Sequence, residues 1–228
     1  MNIPKHIGFI MDGNGRWAQK RLLPRNFGHK KGVDALKRVV NACIDEGVGV
    51  VSMFAFSSEN WARPKSETDY LFGIIREFVN RDLNREFSVP VRLVVMGDLG
   101  GLPEDVRKII CEKMKETAQN TQFVLNIGIN YGGRDEIIHA CNLAIKAGKE
   151  VDAASFEKYL YTAGLPEPDV IVRTSGEMRL SNFMLYQCAY SELIFLKKLW
   201  PDMDASDVRE IIREYSGRNR KFGAISEE

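Results

Sequence analysis

The chain alternates short apolar runs with longer segments of helical period, and this limits its fold more than any other feature. His6 to Met11, Val48 to Ala55, Val91 to Met96, Phe123 to Ile129, Asp169 to Val172 and Glu192 to Leu196 read as buried strands. Gly32 to Glu46 reads as a helix with Val33, Leu36, Val39, Val40, Cys43 and Ile44 on one face. Ser66 to about Phe87 reads as a long helix opened by a Ser66/Asp69 capping box. Pro103, followed by Glu104 and Asp105, opens another helix; Arg134 to Ala147 gives a further one, and Asp204 caps a last helix through about Tyr215. Such alternation predicts an α/β fold with a mainly parallel sheet and helices on both faces.

With 228 residues the chain is long enough for one sizeable core, so residues 1–228 read as a single domain. Lys plus Arg is 32 and Asp plus Glu is 31, a net charge of +1 that argues against a protein coating nucleic acid through bulk charge. No apolar run approaches the ~20 residues that span a bilayer, and the N-terminal stretch lacks the pattern of a signal peptide. Cys43, Cys111, Cys141 and Cys188 have no metal-ligand spacing and read as buried free thiols, which suits a reducing cytoplasm.

Parallel α/β sheets bind ligands beyond the carboxyl ends of their strands. Here the residues after the strands are polar, small and cationic: Asp12-Gly13-Asn14-Gly15-Arg16-Trp17, Ser57-Ser58-Glu59-Asn60-Trp61, Asn130-Tyr131-Gly132-Gly133-Arg134 and Arg173-Thr174-Ser175-Gly176-Glu177. Gly13 to Ala18 matches a dinucleotide fingerprint. Two features oppose a nicotinamide or flavin site: Asp12 would repel a bare pyrophosphate, and no acid ends the second strand to hold a ribose. Asp12 makes sense beside a divalent cation bound to a diphosphate, with Arg16 as a fixed positive charge. Arg25 and His29, in a short loop with Lys30 and Lys31, lie close enough to join that anion site. Asn60 and Arg63 need hydrogen-bond partners, whereas Trp61 can serve as core. Arg173, with Arg179 and Ser181 at the start of an SNFMLYQ helix, composes a phosphate cradle. Glu192 reads equally as a second metal carboxylate or as a salt-bridged residue. Met53, Phe54, Ala55, Phe56, Phe72, Ile75, Phe78, Phe123 and Leu125 share one layer, which is either plain core or the wall of a hydrocarbon tunnel. The chain has no GxxxxGK[ST], HExxH or GxSxG motif and no Asp-Asp pair.

HIGFIMDGNGRWA, FAFSSENWARP, NIGINYGGRDEI and DVIVRTSGEMRLSNFMLYQCAYSELIFLKKLWPD together resemble the signature blocks of the cis-prenyltransferases, in order, from Pro4 to the GRNRKFG tail. The resemblance implies a single α/β domain with a six-stranded, mostly parallel sheet, a hydrophobic tunnel and a homodimer. It implies Mg²⁺-dependent addition of isopentenyl diphosphate to an allylic diphosphate, usually farnesyl diphosphate. The product is a polyprenyl diphosphate, of undecaprenyl length for a cell-wall lipid carrier, and a greasy product suits peripheral membrane contact. By position, Asp12 resembles the metal-handling acid. Gly13, Asn14, Gly15, Arg16, Trp17, Arg25 and His29 resemble the allylic diphosphate site, and Arg173, Arg179, Leu180 and Ser181 the isopentenyl diphosphate site. Ser57, Ser58, Glu59, Trp61 and Arg63 match the substrate loop, and Glu192 a metal ligand near the partner's site. Asn60 matches a proton acceptor; because an amide is a very weak base, orienting the substrate is the better role. Met178 departs from relatives with a polar residue and offers Mg²⁺ no useful ligand. Phe123 is expected at the tunnel's far end, where it limits product length. Three rivals remain: within the same class a shorter-chain cis synthase; from another class a nucleotide-binding oxidoreductase, opposed by Asp12 and the missing ribose acid; and a non-catalytic subunit, opposed by retention of Asp12, Asn60, Arg173, Arg179 and Glu192.

Overall fold

The computed structural model describes residues 2–218; the expected tail motif beyond Arg218 lies outside the described residues. Six strands form one sheet: β1 (His6–Ile10), β2 (Val50–Ser57), β3 (Val91–Met96), β4 (Phe123–Tyr131), β5 (Val170–Arg173) and β6 (Glu192–Phe195). Their order is β3-β4-β2-β1-β5-β6, and every pairing is parallel. All six carboxyl ends therefore share one edge. Helices α1 (Asn14–Gln19), α2 (Arg25–Asp45), α3 (Lys65–Val79), α4 (Leu83–Glu86), α5 (Glu104–Glu116), α6 (Gly133–Lys146), α7 (Ala153–Phe156) and α8 (Ala205–Ser216) complete the fold.

Strand alternation assigns side chains to two layers. Ile7, Phe9, Val51, Met53, Leu125 and Ile127 join α2, α3, α5 and α8 in the larger core. Ile10, Phe54, Met96, Tyr131, Ile171 and Phe183 form a smaller cluster on the other side. The expected single aromatic layer is thus divided, because Phe54 turns away from Met53 and stacks on Phe183 at 4.8 Å between centroids. A register shift between Phe54 and Phe56, opposite Gly128 and Ile129, then returns both Ala55 and Phe56 to the larger core. Bulges next to binding sites often re-aim side chains in this way.

Several boundaries differ from the sequence reading. Helix α2 starts at Arg25, so Arg25 and His29 are helical and not in a loop. Gly28 hid this start, yet packing requires it: a Cβ there would lie 1.9 Å from the Asn14 carbonyl oxygen, where α1 crosses α2. Pro64 precedes α3 in place of the Ser66/Asp69 box, and Asp69 pairs with Lys65. The long helix stops at Val79, after which Asp82 caps α4 by accepting the Asn84 N–H. Residues 181–190 form successive turns rather than the SNFMLYQ helix, with left-handed backbone at Ser181, Asn182 and Met184. Of the cysteines, Cys43 and Cys188 are buried as expected; Cys141 is exposed on α6 and Cys111 half-buried.

A buried polar chain crosses three adjacent strands, β1, β2 and β4. His6 Nδ1 lies 2.7 Å from the Pro166 carbonyl oxygen, which can only accept, so the proton is on Nδ1. Nε2 then accepts from the Ser52 hydroxyl at 2.8 Å, and Asn126 Nδ2 donates to the same oxygen at 2.9 Å. Burial pushes the His6 pKa down to about 4, against the pull of Pro166 and Asp169. The unfolded chain therefore takes up the proton first. The stability that neutral His6 provides is complete above about pH 6.5 and is lost as pH falls toward 4, by about 3 kcal/mol in all. Urea unfolding at pH 7 and pH 5 should show this loss in the parent and a shallower one in His6→Gln; equal slopes would contradict the assignment.

Candidate active site

A cavity of about 850 Å³ opens at the carboxyl edge of the sheet. Five arginines line it (Arg16, Arg25, Arg63, Arg134 and Arg173) against two carboxylates, Asp12 and Glu59. The near-neutral chain thus concentrates positive charge at one place, as an anionic ligand requires.

Arg173, only 5% exposed, ends β5 beside β1. Its Nη2 donates to Asp12 Oδ2 at 3.0 Å, and its Nη1 donates to the Arg179 carbonyl at 2.6 Å and to Ser181 Oγ at 2.7 Å. Asp12 is also held from behind: its carbonyl accepts from Thr174 Oγ1 at 2.6 Å and from the Trp200 N–H at 3.1 Å. Arg16 reaches the other carboxylate oxygen at 3.2 Å and donates to the Ser175 hydroxyl and carbonyl. Burial pushes the Asp12 carboxyl up, but the Arg173 hydrogen bond and the Arg16 and Arg173 charges prevail and hold it below its ordinary value. Gly13 turns the chain with φ 103°, and a Cβ there would meet Leu199 at 2.8 Å.

Arg25 and His29 lie four residues apart on α2 and so share a face. Both approach Glu67 of α3 at 3.7 Å, and Arg63 pairs with the same carboxylate at 2.9 Å. Burial and the neighbouring Arg63 and Arg25 hold the His29 pKa below its usual value, against Glu67. His29 Nε2 is buried without a hydrogen-bond partner. The Asn60 side-chain oxygen accepts the Ser57 N–H at 3.2 Å, so its most basic atom is already engaged.

Of the residues expected at the site, Gly13, Asn14, Gly15, Arg16, Arg25, His29, Ser57, Glu59, Asn60, Arg63, Arg173, Leu180 and Ser181 line the cavity with Asp12. Five residues do not. Trp17 Nε1 donates to Asp202 at 2.6 Å, and the Trp17 ring stacks under Arg21. Ser58 and Trp61 bond Asp135 and Asn130. The Arg179 side chain, 59% exposed, turns to Glu177 at the rim, so only its carbonyl serves the site. Glu192 opens β6 opposite Val170, three residues upstream of the Arg173 level, or about 10 Å along the strand. There it pairs with Arg218 at 2.7 Å and cannot reach Asp12 of its own chain. The sequence reading missed Arg134, Asn182 and Glu67. Arg134 belongs to the stretch flagged after β4, in the first turn of α6, and Asn182 follows Ser181 in the SNFMLYQ stretch; nothing in the sequence marked Glu67.

Among the described residues no three His, Cys, Asp or Glu side chains converge as a metal cage. Asp12 alone fits a cation that arrives with its diphosphate, since Mg²⁺ commonly takes one or two carboxylates plus substrate phosphates. Met178, exposed at the rim, adds no ligand.

An apolar cleft of about 100 Å³ continues from the polar cavity, sharing Met11, Asn14, His29, Ala55 and Leu71 with it. Its walls include Leu36 of α2, Ile75 and Phe78 of α3, and Ile127 and Ile129 of β4. Phe123 does not line it. It begins β4, four residues before Ile127, and is buried in the core.

A parallel sheet with an arginine-rich cavity that runs into an apolar cleft suits a prenyltransferase, and the comparisons agree. The prenyltransferase family model described as "Putative undecaprenyl diphosphate synthase" matches residues 10–223. An isoprenyl transferase of Clostridium perfringens is 45% identical over 98% of this chain and 91% of its own length. That of Agrobacterium fabrum is 45% identical over 100% and 95%. The solved lavandulyl diphosphate synthase of Lavandula x intermedia, in complex with dimethylallyl diphosphate, superposes with a TM-score of 0.91 at 30% identity, covering 97% of this chain and 98% of that one. A probable undecaprenyl diphosphate synthase from Campylobacter jejuni gives 0.81 at 33% identity, covering 98% and 100%. This chain belongs to the isoprenyl transferase family, prenyltransferases of the cis-polyprenyl diphosphate synthase type.

Replacing Arg173 by Lys removes the fork that reaches Asp12, Ser181 and the Arg179 carbonyl together. R173K is expected to lower kcat/KM about 100-fold while circular dichroism stays unchanged. Activity within about threefold of the parent would contradict this role.

Proposed function

We propose that this enzyme condenses isopentenyl diphosphate units onto an allylic diphosphate such as farnesyl diphosphate, with Mg²⁺, to give a polyprenyl diphosphate of undecaprenyl length for a cell-wall lipid carrier. The observation that carries the reading is the junction of the arginine cavity with the apolar cleft at Met11, Asn14, His29, Ala55 and Leu71. An amphiphile can place its diphosphate among the arginines and its hydrocarbon between α2, α3 and the sheet.

In this reading Arg16, Arg25 and His29 hold the allylic diphosphate, with Gly13, Asn14 and Gly15 allowing close approach. Arg173 and Ser181 hold isopentenyl diphosphate, with Leu180 beside it. Asp12 would hold Mg²⁺, which neutralises charge on the departing diphosphate. The allylic carbon–oxygen bond breaks with its electron pair on the diphosphate. The isopentenyl double bond forms the new carbon–carbon bond, and the proton released passes to a phosphate oxygen. Asn60 orients the substrate; its engaged carbonyl oxygen suits that role better than proton removal.

The reading includes a homodimer. Ile138, Cys141 and Ile145 lie at helical spacing on the exposed face of α6, and Leu193 is partly exposed on the edge strand β6. Only a second copy could bring Glu192 near Asp12. Among the described residues no helix is long and apolar enough to cross a membrane. Product release through peripheral membrane contact belongs to the same proposal.

The narrowness of the cleft, and the likeness to a lavandulyl diphosphate synthase, favour a second reading: a shorter product. One assay separates the two. Purified protein with farnesyl diphosphate, labelled isopentenyl diphosphate and Mg²⁺ should yield a polyprenyl ladder ending at undecaprenyl length, abolished by Asp12→Ala. A product of one or two additions selects the shorter-chain reading, and no product from any short allylic primer refutes both.

A further inference from the structure

The segment from Ser57 to Arg63 is held mainly by the protein itself. Ser58 Oγ donates to Asp135 Oδ2 at 2.8 Å, Trp61 Nε1 donates to Asn130 Oδ1 at 2.8 Å, and Asn182 Nδ2 donates to Glu59 Oε1 at 2.8 Å. Of these partners, Asn182 is the one that also ties the start of α6 to the turn after β5. Its side-chain oxygen accepts the Arg134 N–H at 2.9 Å, and its backbone carbonyl accepts the Gly133 N–H at 2.7 Å. Its φ is 66°.

These contacts make three demands on position 182. The backbone is left-handed, which Gly, Asn and Asp tolerate best. One side-chain atom must accept from the Arg134 N–H, and another must donate to a carboxylate. Glycine meets the first demand alone. An ionised aspartate meets the first two but has no hydrogen for Glu59. Asparagine meets all three. Burial alone would raise the Glu59 carboxyl; hydrogen bonds, that from Asn182 first among them, hold it below its ordinary value.

Position 182 also lies between two parts of the site. Ser181, its neighbour, accepts from Arg173, and Asn60, the neighbour of Glu59, lines the same cavity. We propose that Asn182 is a positioning residue for prenyl transfer: it fixes the turn carrying Ser181 against the segment carrying Asn60, so that the second diphosphate position and Asn60 face each other in register. The proposal rests on the reading above, in which Arg173 and Ser181 hold isopentenyl diphosphate and Asn60 orients substrate.

The test uses Asn182→Asp, Glu59→Gln and the double variant. N182D keeps the backbone conformation and the bond from Arg134 but sets two carboxylates against each other. It is expected to lower kcat about 10- to 100-fold with the KM for the allylic substrate within about twofold, since Arg16, Arg25 and His29 are untouched. It should also speed amide hydrogen exchange across residues 57–63. In N182D/E59Q the introduced glutamine amide donates to the introduced aspartate, reversing the bond, and should recover at least about tenfold in kcat and most of the exchange protection. A merely structural loss would not be repaired in this way. N182D equal to the parent in kcat and exchange, or a double variant that recovers neither, would overturn the proposal. If the parent makes no prenyl product, the reaction reading fails, and the exchange data still decide the positioning role.

Discussion

The contact between Arg173 and Asp12 organises the carboxyl edge of the sheet. A guanidinium as buried as Arg173 costs several kcal/mol unless it is paired and hydrogen-bonded. Asp12 supplies the pair across adjacent strands, and Ser181 and the Arg179 carbonyl take the other arm of the fork. One guanidinium therefore locates the loop after β1 and both ends of the turn after β5. Arg173 Nε remains buried without a hydrogen-bond partner. Arg16 closes on Asp12 from the opposite side, leaving one carboxylate between two cations.

The rest of the site builds outward from that contact with the same economy. Helix α2 brings Arg25 and His29 to one face, and Glu67 of α3 meets both of them and Arg63. The bulge after Phe54 turns Ala55 toward the apolar cleft while Phe54 packs on the opposite cluster. The polar and apolar halves of the binding region are thus consequences of strand alternation, one irregularity in β2 and the α1–α2 crossing at Gly28.

Much of this was legible in the sequence. Short strands of Val, Ile and Phe, and the helices between them, announced the parallel sheet, and the residues after β1, β2 and β5 announced the polar edge. The sequence could not show which side chains reach the cavity. Trp17, Ser58 and Trp61 stand in the right stretches after β1 and β2, yet each finds a protein partner, because side-chain direction there depends on neighbours distant in sequence. The Arg179 side chain lies at the rim, where the expected SNFMLYQ helix gives way to turns with left-handed residues. Glu192, expected near a partner's site, stands three residues below the site of its own chain in the parallel register. Gly28 and Gly32 concealed the first two turns of α2, since low helix propensity there is overridden by close packing on Asn14. Glu67 carries no local signal, and Asn182, though it stands in the SNFMLYQ stretch, shows its part only through tertiary contacts.

A single carboxylate clasped by two arginines is a poor cage for a free cation and a good partner for a cation already bound to diphosphate. Calorimetric titration of the intact protein with Mg²⁺, alone and with inorganic pyrophosphate present, tests this claim most directly. Mg²⁺ alone should give no specific heat, and one saturating site should appear once pyrophosphate is added and be lost in Asp12→Ala. Saturable Mg²⁺ binding to the free protein, or pyrophosphate-dependent uptake that survives the loss of Asp12, would contradict it.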